Sequence, residues 1–364
     1  MKRTIVISAV NLRKGGTLTI LRQTLEYLSR RDFSCLPAFS SILRSPEGQG
    51  ALRDGVRVVA LVHDRKLCDY PGIEYVEMPW TVRTWAHRLW AEYVTMWRIS
   101  RRLETEDGRS VWLWISLHDT TPRVTADHQE VYCHTSFPFL KLRLRDWFMD
   151  PKIPVFAHLT KIYYRINVHR NDAIIVQQRW FAEALSSQLH VDADKFCVIP
   201  PAGPADVGSV AEVSKAEASD DRVTFLYAST ADCHKNFETL LEAAARLESM
   251  GLRFRLTLTI KGDENRYARW LKARWGNLKS VEFRGFMTKD ELFSAYRSAD
   301  VFVFPSRIET WGLPISEFIS AHPGAPLILS DLPYAHETAA GARASFFNPD
   351  DPGELAALMS EHLR

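Results

Sequence analysis

The sequence predicts an α/β protein of two doubly wound parallel-sheet domains facing across a cleft. Three observations lead there. At 364 residues, the chain exceeds the roughly 250–300 residues at which a single core stops growing. Short apolar runs alternate with helical patterns in both halves, which is the signature of parallel strands joined by helical crossovers. Between the halves, Ala202 to Asp221 is rich in small and acidic residues with little periodicity, as expected of a solvated linker. The expected boundaries are 1–203 for the first domain, 204–221 for the linker and 222–364 for the second. The last helix is a candidate to pack back on the first domain.

Composition narrows the class. A hydrophobic content of 46% is ordinary for a globular chain. A net charge of +2 lacks the basic excess of a dedicated nucleic-acid binder, so no nucleic-acid partner is expected. The five cysteines, Cys35, Cys68, Cys133, Cys197 and Cys233, are scattered and odd in number, which suggests neither a disulfide frame nor a zinc site. The N-terminus leads straight into a strand-like run too short for a signal peptide. No apolar run approaches the ~20 residues that span a bilayer. A reducing, cytoplasmic location is therefore expected.

In the first half, Thr4 to Ser8 reads as a strand. Gly15 and Gly16 follow, and Leu18, Leu21, Leu25 and Leu28 mark one helical face. A glycine pair between strand and helix suits a phosphate, because backbone and ligand can approach closely; a plain tight turn fits equally. Val56 to Val62 and Ile73 to Met78 are further strands. From Trp80 to Leu103, Trp85, Leu89, Tyr93 and Trp97 share one helical face, with Arg88, Glu92, Arg98, Arg101 and Arg102 elsewhere. That is the pattern of an amphipathic helix packed on a sheet. It is also the pattern of a helix lying on a membrane surface, its cations toward anionic lipid. A second basic-aromatic patch, Phe137 to Phe148 with Lys141, Arg143, Arg145 and Trp147, belongs to the same surface or to a solvated loop. The chain is thus expected to be cytoplasmic or peripheral at a membrane, touching it through 80–103 and 137–148.

Val111 to Leu117 is a strand ending at His118, and Glu130 to Cys133 is another ending at His134. A histidine at a parallel strand's end can reach into a ligand cleft, or can simply be packed. Ala173 to Gln177 reads as a strand, and Val198 to Ala202, stiffened by Pro200 and Pro201, resembles the exit strand before the linker of related two-domain enzymes.

In the second half, Val223 to Tyr227 starts a new strand series. The loop Ala228 to Asn236 leads into a helix over Phe237 to Met250. Arg255 to Ile260 is a strand ending at Lys261, followed by a strand at Val281 to Phe283 and a helix at Glu291 to Ser298. Val301 to Phe304 has the length and β-branched or aromatic content of a buried strand. Pro305 and Ser306 stop it, Glu309 lies in the turn with Gly312 and Pro314, and Ile315, Phe318 and Ile319 mark a helix that carries Glu317. Ligands sit where loops leave the carboxyl ends of such strands, and helix starts there suit anions. The ordinary alternative is that both acids are solvated. Pro326 to Asp331 is a strand with its exit loop, Tyr334 to Ala339 a helix, and the terminal helix closes the chain.

The ordered string Phe304-Pro305-Ser306, Glu309, Gly312-Leu313-Pro314 and Glu317 closely resembles the paired-glutamate signature of retaining glycosyltransferases of the GT-B fold, glycosyltransferase family 4. The resemblance spans most of the chain. It is strongest from Val223 to Asp351 and implies two Rossmann-like domains. It further implies that Glu309 positions the donor sugar with the amides of Trp311, Gly312 and Leu313, and that Glu317 holds the ribose hydroxyls. Lys235 and Asn236 match the donor diphosphate loop, Lys261 is a candidate second cation, and the backbone at Phe286 and Met287 would read the nucleobase. Gly15 and Gly16 would face the phosphates and acceptor. His134 matches the family's cleft histidine because Ser-Phe-Pro-Phe follows it, with His118 in reserve. One departure stands out. The family places an arginine five residues before the lysine, and here that position is Thr230. Either His234, the helix start and another basic residue share the charge, or donor phosphate binding is weaker.

The expected activity is metal-independent and cofactor-free transfer of a sugar from a nucleotide-diphosphate donor to a hydroxyl of a glycan or lipid-linked glycan, with retention. The leaving phosphate would take the acceptor proton. A catalytically inert nucleotide-sugar binding or assembly subunit is the alternative. A nicotinamide enzyme is disfavoured, because the first loop lacks G-x-G-x-x-G.

Overall fold

A computed structural model describes residues 3–30, 33–34, 36–108, 110–201 and 221–363. The predicted linker, 204–221, lies outside these residues except for Asp221. The chain divides into two compact units: Met1–Thr135 with Leu159–Pro201, and Ser136–His158 with the C-terminal half.

The first unit holds a seven-stranded sheet. Its strands are β1 (Arg3–Ala9), β2 (Val56–Val62), β3 (Ile73–Glu77), β4 (Val111–Ser116), β5 (Ala126–Tyr132), β6 (Ala173–Val176) and β7 (Phe196–Val198). They run in the order β3-β2-β1-β4-β5-β6-β7, and every neighbouring pair is parallel. The order reverses between β1 and β4, where Ile5 lies opposite Leu113 and Ser8 opposite Ser116. The near-continuous apolar runs follow from having both faces covered. Side chains alternate along β1: Ile5 and Ile7 join a core with Leu21, Leu25 and Leu113, while Val6 joins another with Val59, Met96 and Trp114.

The second unit repeats the plan with β8 (Val223–Tyr227), β9 (Phe254–Leu258), β10 (Val281–Phe283), β11 (Val301–Phe304), β12 (Leu327–Ser330) and β13 (Ala344–Phe347). The order is β10-β9-β8-β11-β12-β13, again parallel throughout. This is the strand order of a dinucleotide-binding sheet, with its reversal between β8 and β11.

Several expectations shift. The strand before the linker is Phe196–Val198, ahead of the predicted Val198 to Ala202, where the prolines cannot donate to a ladder. Part of the second basic-aromatic patch is a helix, Leu144–Met149.

The segment read as one amphipathic helix over 80–103 differs most. It is a 3-10 turn at Pro79–Val82, an α-helix at Trp85–Trp90, a π-helical turn at Ala91–Thr95 and an α-helix at Met96–Asp107. Its polarity at Trp85–Glu92 is inverted. Arg88 and Glu92 are buried, while Trp85 and Leu89 are 51% and 40% exposed. The inward charges are tolerable because they pair: Arg88 Nε donates to Glu92 Oε1 at 2.6 Å. Burial of Glu92 holds its carboxyl above the usual range, against the pull of Arg88.

Cys133 is buried just past β5, and Cys233 is buried just ahead of Lys235. Burial, with Asp119 nearby, holds the Cys133 thiol well above its ordinary value. Burial, with Asp146 and Glu238, pushes Cys233 up to about 12.

Candidate functional site

In the second unit, β8 and β11 lie side by side at the reversal of strand order, and their outgoing loops carry Lys235 and Glu309. Lys235 Nζ donates to Glu309 Oε1 at 2.5 Å, and each side chain is 15% exposed. A cation and an anion from two loops thus meet at the crevice such sheets use for ligands.

Both loops are held from behind. Tyr227 Oη donates to the Lys235 carbonyl at 2.7 Å, and the Arg307 amide to the His234 carbonyl at 2.8 Å. Ser306 is fully buried, and its carbonyl accepts Tyr334 Oη at 2.8 Å. After Glu309, Trp311 Nε1 donates to Ser316 Oγ at 2.7 Å, and the Trp311 carbonyl accepts the Thr338 hydroxyl. Gly312, at φ 85°, is the N-cap of the helix Leu313–Ala321. The amides of a first helical turn lack intrahelical partners and carry the positive end of the dipole. Glu317 sits in the next turn, half-buried, and its Oε2 accepts Tyr296 Oη at 3.2 Å. Burial pushes its carboxyl above the usual range, opposed by that hydrogen bond and by Lys289.

Other expected residues fall into different roles. Asn236 is fully buried in left-handed conformation, φ 58°. Its amide donates to the carbonyls of Pro305 (3.1 Å) and Pro349 (2.8 Å), and its oxygen accepts from Thr239 and Arg143 at 2.9 Å. All its hydrogen-bonding capacity ties loops together, so it positions Lys235. His234 is buried against Phe137, and burial, then Lys235 and Arg307, holds its imidazole well below the ordinary value. It is therefore neutral at pH 7 and cannot share the charge of the absent arginine. Thr230, at that position, donates to Asp232 at 2.6 Å. Lys261 points to solvent, 3.2 Å from Asp263. Phe286 is 91% exposed and Met287 is buried, just after Gly285 at φ 93°.

Sequence reasoning missed Arg307. It is buried and forks onto Asp146, with Nη2 to Oδ1 at 2.6 Å and Nη1 to Oδ2 at 3.1 Å, and it also donates to the Cys233 carbonyl at 3.1 Å. It pins the Glu309 loop and the Lys235 loop to the segment 136–158 within one unit.

In the first unit, Gly15 (φ 64°) opens the helix Gly15–Arg30 after β1, so Gly15 and Gly16 form its first turn rather than a separate loop. His134 follows β5, and its Nε2 lies 3.2 Å from Asp119 Oδ2. Asp119, another residue sequence reasoning missed, sits after β4 at φ 68°. Its carboxylate also accepts the amides of His134 (2.7 Å) and Thr135 (3.0 Å), the Thr135 hydroxyl (2.7 Å) and Tyr164 Oη (2.8 Å). It fixes where His134 points.

His118 is buried elsewhere. Its Nε2 is 2.7 Å from Ser8 Oγ, and Nδ1 is 2.8 Å from Arg88 Nη2. Burial, then the Arg88 charge, keeps it neutral. Because guanidinium only donates, Nδ1 accepts, so Nε2–H donates to Ser8. With Glu92 3.3 Å from Nδ1, the set looks like a nucleophile triad. The proton is on the wrong nitrogen for a base toward Ser8, and Ser8 is fully buried. His118 thus braces the β1–β4 junction. One Asp-x-Asp string occurs, Asp192-Ala193-Asp194, exposed in the turn that enters β7, away from the strand ends where ligands bind.

Two parallel sheets with the order reversal beside the first strand of each define a double Rossmann architecture, and the chain shares the GT-B fold with solved glycosyltransferases. Residues 221–364 match the family described as glycosyl transferases group 1. WaaG, a glycosyltransferase involved in lipopolysaccharide biosynthesis, superposes with TM-score 0.64 at 13% identity, over 99% of this chain and 90% of that one. Anabaena HepE in complex with UDP-glucose superposes with TM-score 0.61 at 13% identity, over 98% and 89%. At these identities the likeness is one of fold. The serotype-specific mannosyltransferase WbdA of Escherichia coli is 31% identical over 133 residues, covering 35% of this chain. The chain spans 16% of the length of the curated relatives it matches.

Proposed function

We propose that the chain is a retaining, metal-independent glycosyltransferase of family 4 type that moves a sugar from a nucleotide-diphosphate donor to a hydroxyl of a glycan or lipid-linked glycan. The observation that carries this is the Lys235–Glu309 pair on adjacent strand exits, inside the segment that matches group 1 glycosyl transferases. The UDP-glucose bound by the HepE relative and the lipopolysaccharide role of WaaG agree with such a donor and acceptor.

The chemical task is to stabilise a departing diphosphate. Lys235 and the amides at the start of helix Leu313–Ala321 supply positive potential. When the diphosphate takes Lys235, Glu309 is released to accept hydrogen bonds from the donor sugar and orient its anomeric carbon. Glu317 holds the ribose hydroxyls. The leaving phosphate takes the acceptor proton.

The test has two parts. A thermal-shift panel of nucleotide diphosphates and nucleotide sugars should raise the melting point for one base, since a ligand bound only by the folded form stabilises it. With that donor, transfer or slow donor hydrolysis should persist in EDTA, retain the anomeric configuration by NMR, and vanish in Glu309→Ala. A stabilising donor without turnover would favour the inert binding subunit, for which Thr230 in place of the arginine is the supporting observation.

A further inference from the structure

The inverted helix Trp85–Trp90 turns its ion pair inward and its apolar side outward. Trp85 and Leu89, four residues apart on one face, are 51% and 40% exposed. Trp85 stacks on Tyr163, with ring centroids 5.6 Å apart. That contact joins the helix to the end of helix Lys152–Tyr163 and the turn after it, where Ile162 and Ile166 are 58% and 36% exposed. All of these residues lie in the first unit. An apolar surface of this kind on a folded chain marks a contact site.

Charge says which kind. From Pro79 to Ala91 and from Leu159 to Arg170 there is no Asp or Glu. In the same stretches Arg83, Lys161 and Arg165 are exposed. Tryptophan and isoleucine framed by cations, with no acid among them, match an anionic lipid interface: apolar side chains enter the acyl boundary and cations meet the headgroups. A protein partner would call for balancing acids or hydrogen-bonding polar groups at the rim.

We propose that this face of the first unit docks on an anionic phospholipid surface. Trp85 and Leu89 lie within the stretch 80–103 expected from sequence to touch a membrane, whereas Ile162 and Ile166 lie outside both expected stretches. The outward face at Trp85 and Leu89 belongs to a short helix, and Ile162 and Ile166 lie beyond the basic-aromatic patch at 137–148. The proposal does not depend on the donor chemistry, since none of these residues belongs to the Lys235–Glu309 site.

The experiment is co-sedimentation of the full chain with vesicles of phosphatidylcholine alone and of phosphatidylcholine mixed with phosphatidylglycerol, at low and high salt. Binding is expected only to the anionic vesicles and should weaken with salt. Trp85→Ser with Ile162→Ser should abolish it. Lys161→Glu with Arg165→Glu should lower it on the order of tenfold or more. Unchanged melting of both double variants, which alter only exposed side chains, reports an intact fold. Binding that survives Trp85→Ser with Ile162→Ser overturns the assignment. So does absence of vesicle binding, including the case where the chain instead forms a dimer that Ile162→Ser dissolves. Loss of donor turnover with vesicle binding intact would count against the catalytic reading alone.

Discussion

Lys235 and Glu309 cancel each other at 2.5 Å in a site where each is 15% exposed, so an anionic ligand that takes Lys235 must rearrange this pair. Lys235→Ala should weaken nucleotide-diphosphate affinity by about 1–3 kcal/mol, the scale of a charge-assisted bond, as read by calorimetry. Glu309→Ala should abolish turnover yet leave nucleotide affinity equal or tighter, because it frees Lys235 for phosphate. Unchanged turnover would defeat the roles assigned to the pair. Both residues were legible in the sequence through the family resemblance of the strings that carry them; local spacing alone left Glu309 as an ordinary solvated acid. Asp119 and Arg307 were not. Their partners Tyr164 and Asp146 lie 45 and 161 positions away, and no local pattern announces contacts of that reach.

At the scale of elements, strands that are mostly buried were readable because they are short runs dominated by apolar, largely β-branched or aromatic residues; Val56–Val62, Val223–Tyr227 and Val301–Phe304 came out as expected. The strand Ala344–Phe347 was not, since only Phe347 is buried and its signal is short. The helix at Trp85 was legible as a periodic element, but its orientation was not. Spacing shows which residues share a face, while the Arg88–Glu92–His118 cluster decides which face turns in. The turn before Glu317 rests on Gly312. At φ 85°, an added Cβ would lie 3.2 Å from Ile315 Cδ1. Gly312→Ala should therefore cost about 1–2 kcal/mol from the left-handed backbone. Urea denaturation measures this, and an unchanged midpoint would refute the strain.

At the scale of the whole molecule, stability depends on buried charges that are paired. Arg307→Ala strands Asp146 and should cost about 3–5 kcal/mol, whereas Arg307→Met with Asp146→Leu should be far milder; urea midpoints of the two compare them directly. Glu130, buried in β5, accepts the amides of Ser41 and Ile42 at 2.9 and 2.8 Å and the Ser40 hydroxyl. Burial pushes its carboxyl from 4.5 up to about 7, against those hydrogen bonds. The folded form therefore binds a proton that the unfolded form releases first. Wild-type stability should fall as pH rises from about 4.5 to about 7 and stay lower above it, with a span of about 3 kcal/mol. Glu130→Gln removes that slope, so its melting temperature should gain on the wild type between pH 4.5 and 7.5. A constant difference would show that Glu130 ionises alike in both states.

Two of the buried cysteines, Cys133 and Cys233, give the chain a pair of internal clocks. Only a thiolate reacts with a maleimide at an appreciable rate, and Cys133 and Cys233, one in each unit, are held protonated by burial. Neither should label while its own sheet stays closed. Each should label as that sheet opens, so peptide mapping after timed exposure would report the breathing of the two halves separately.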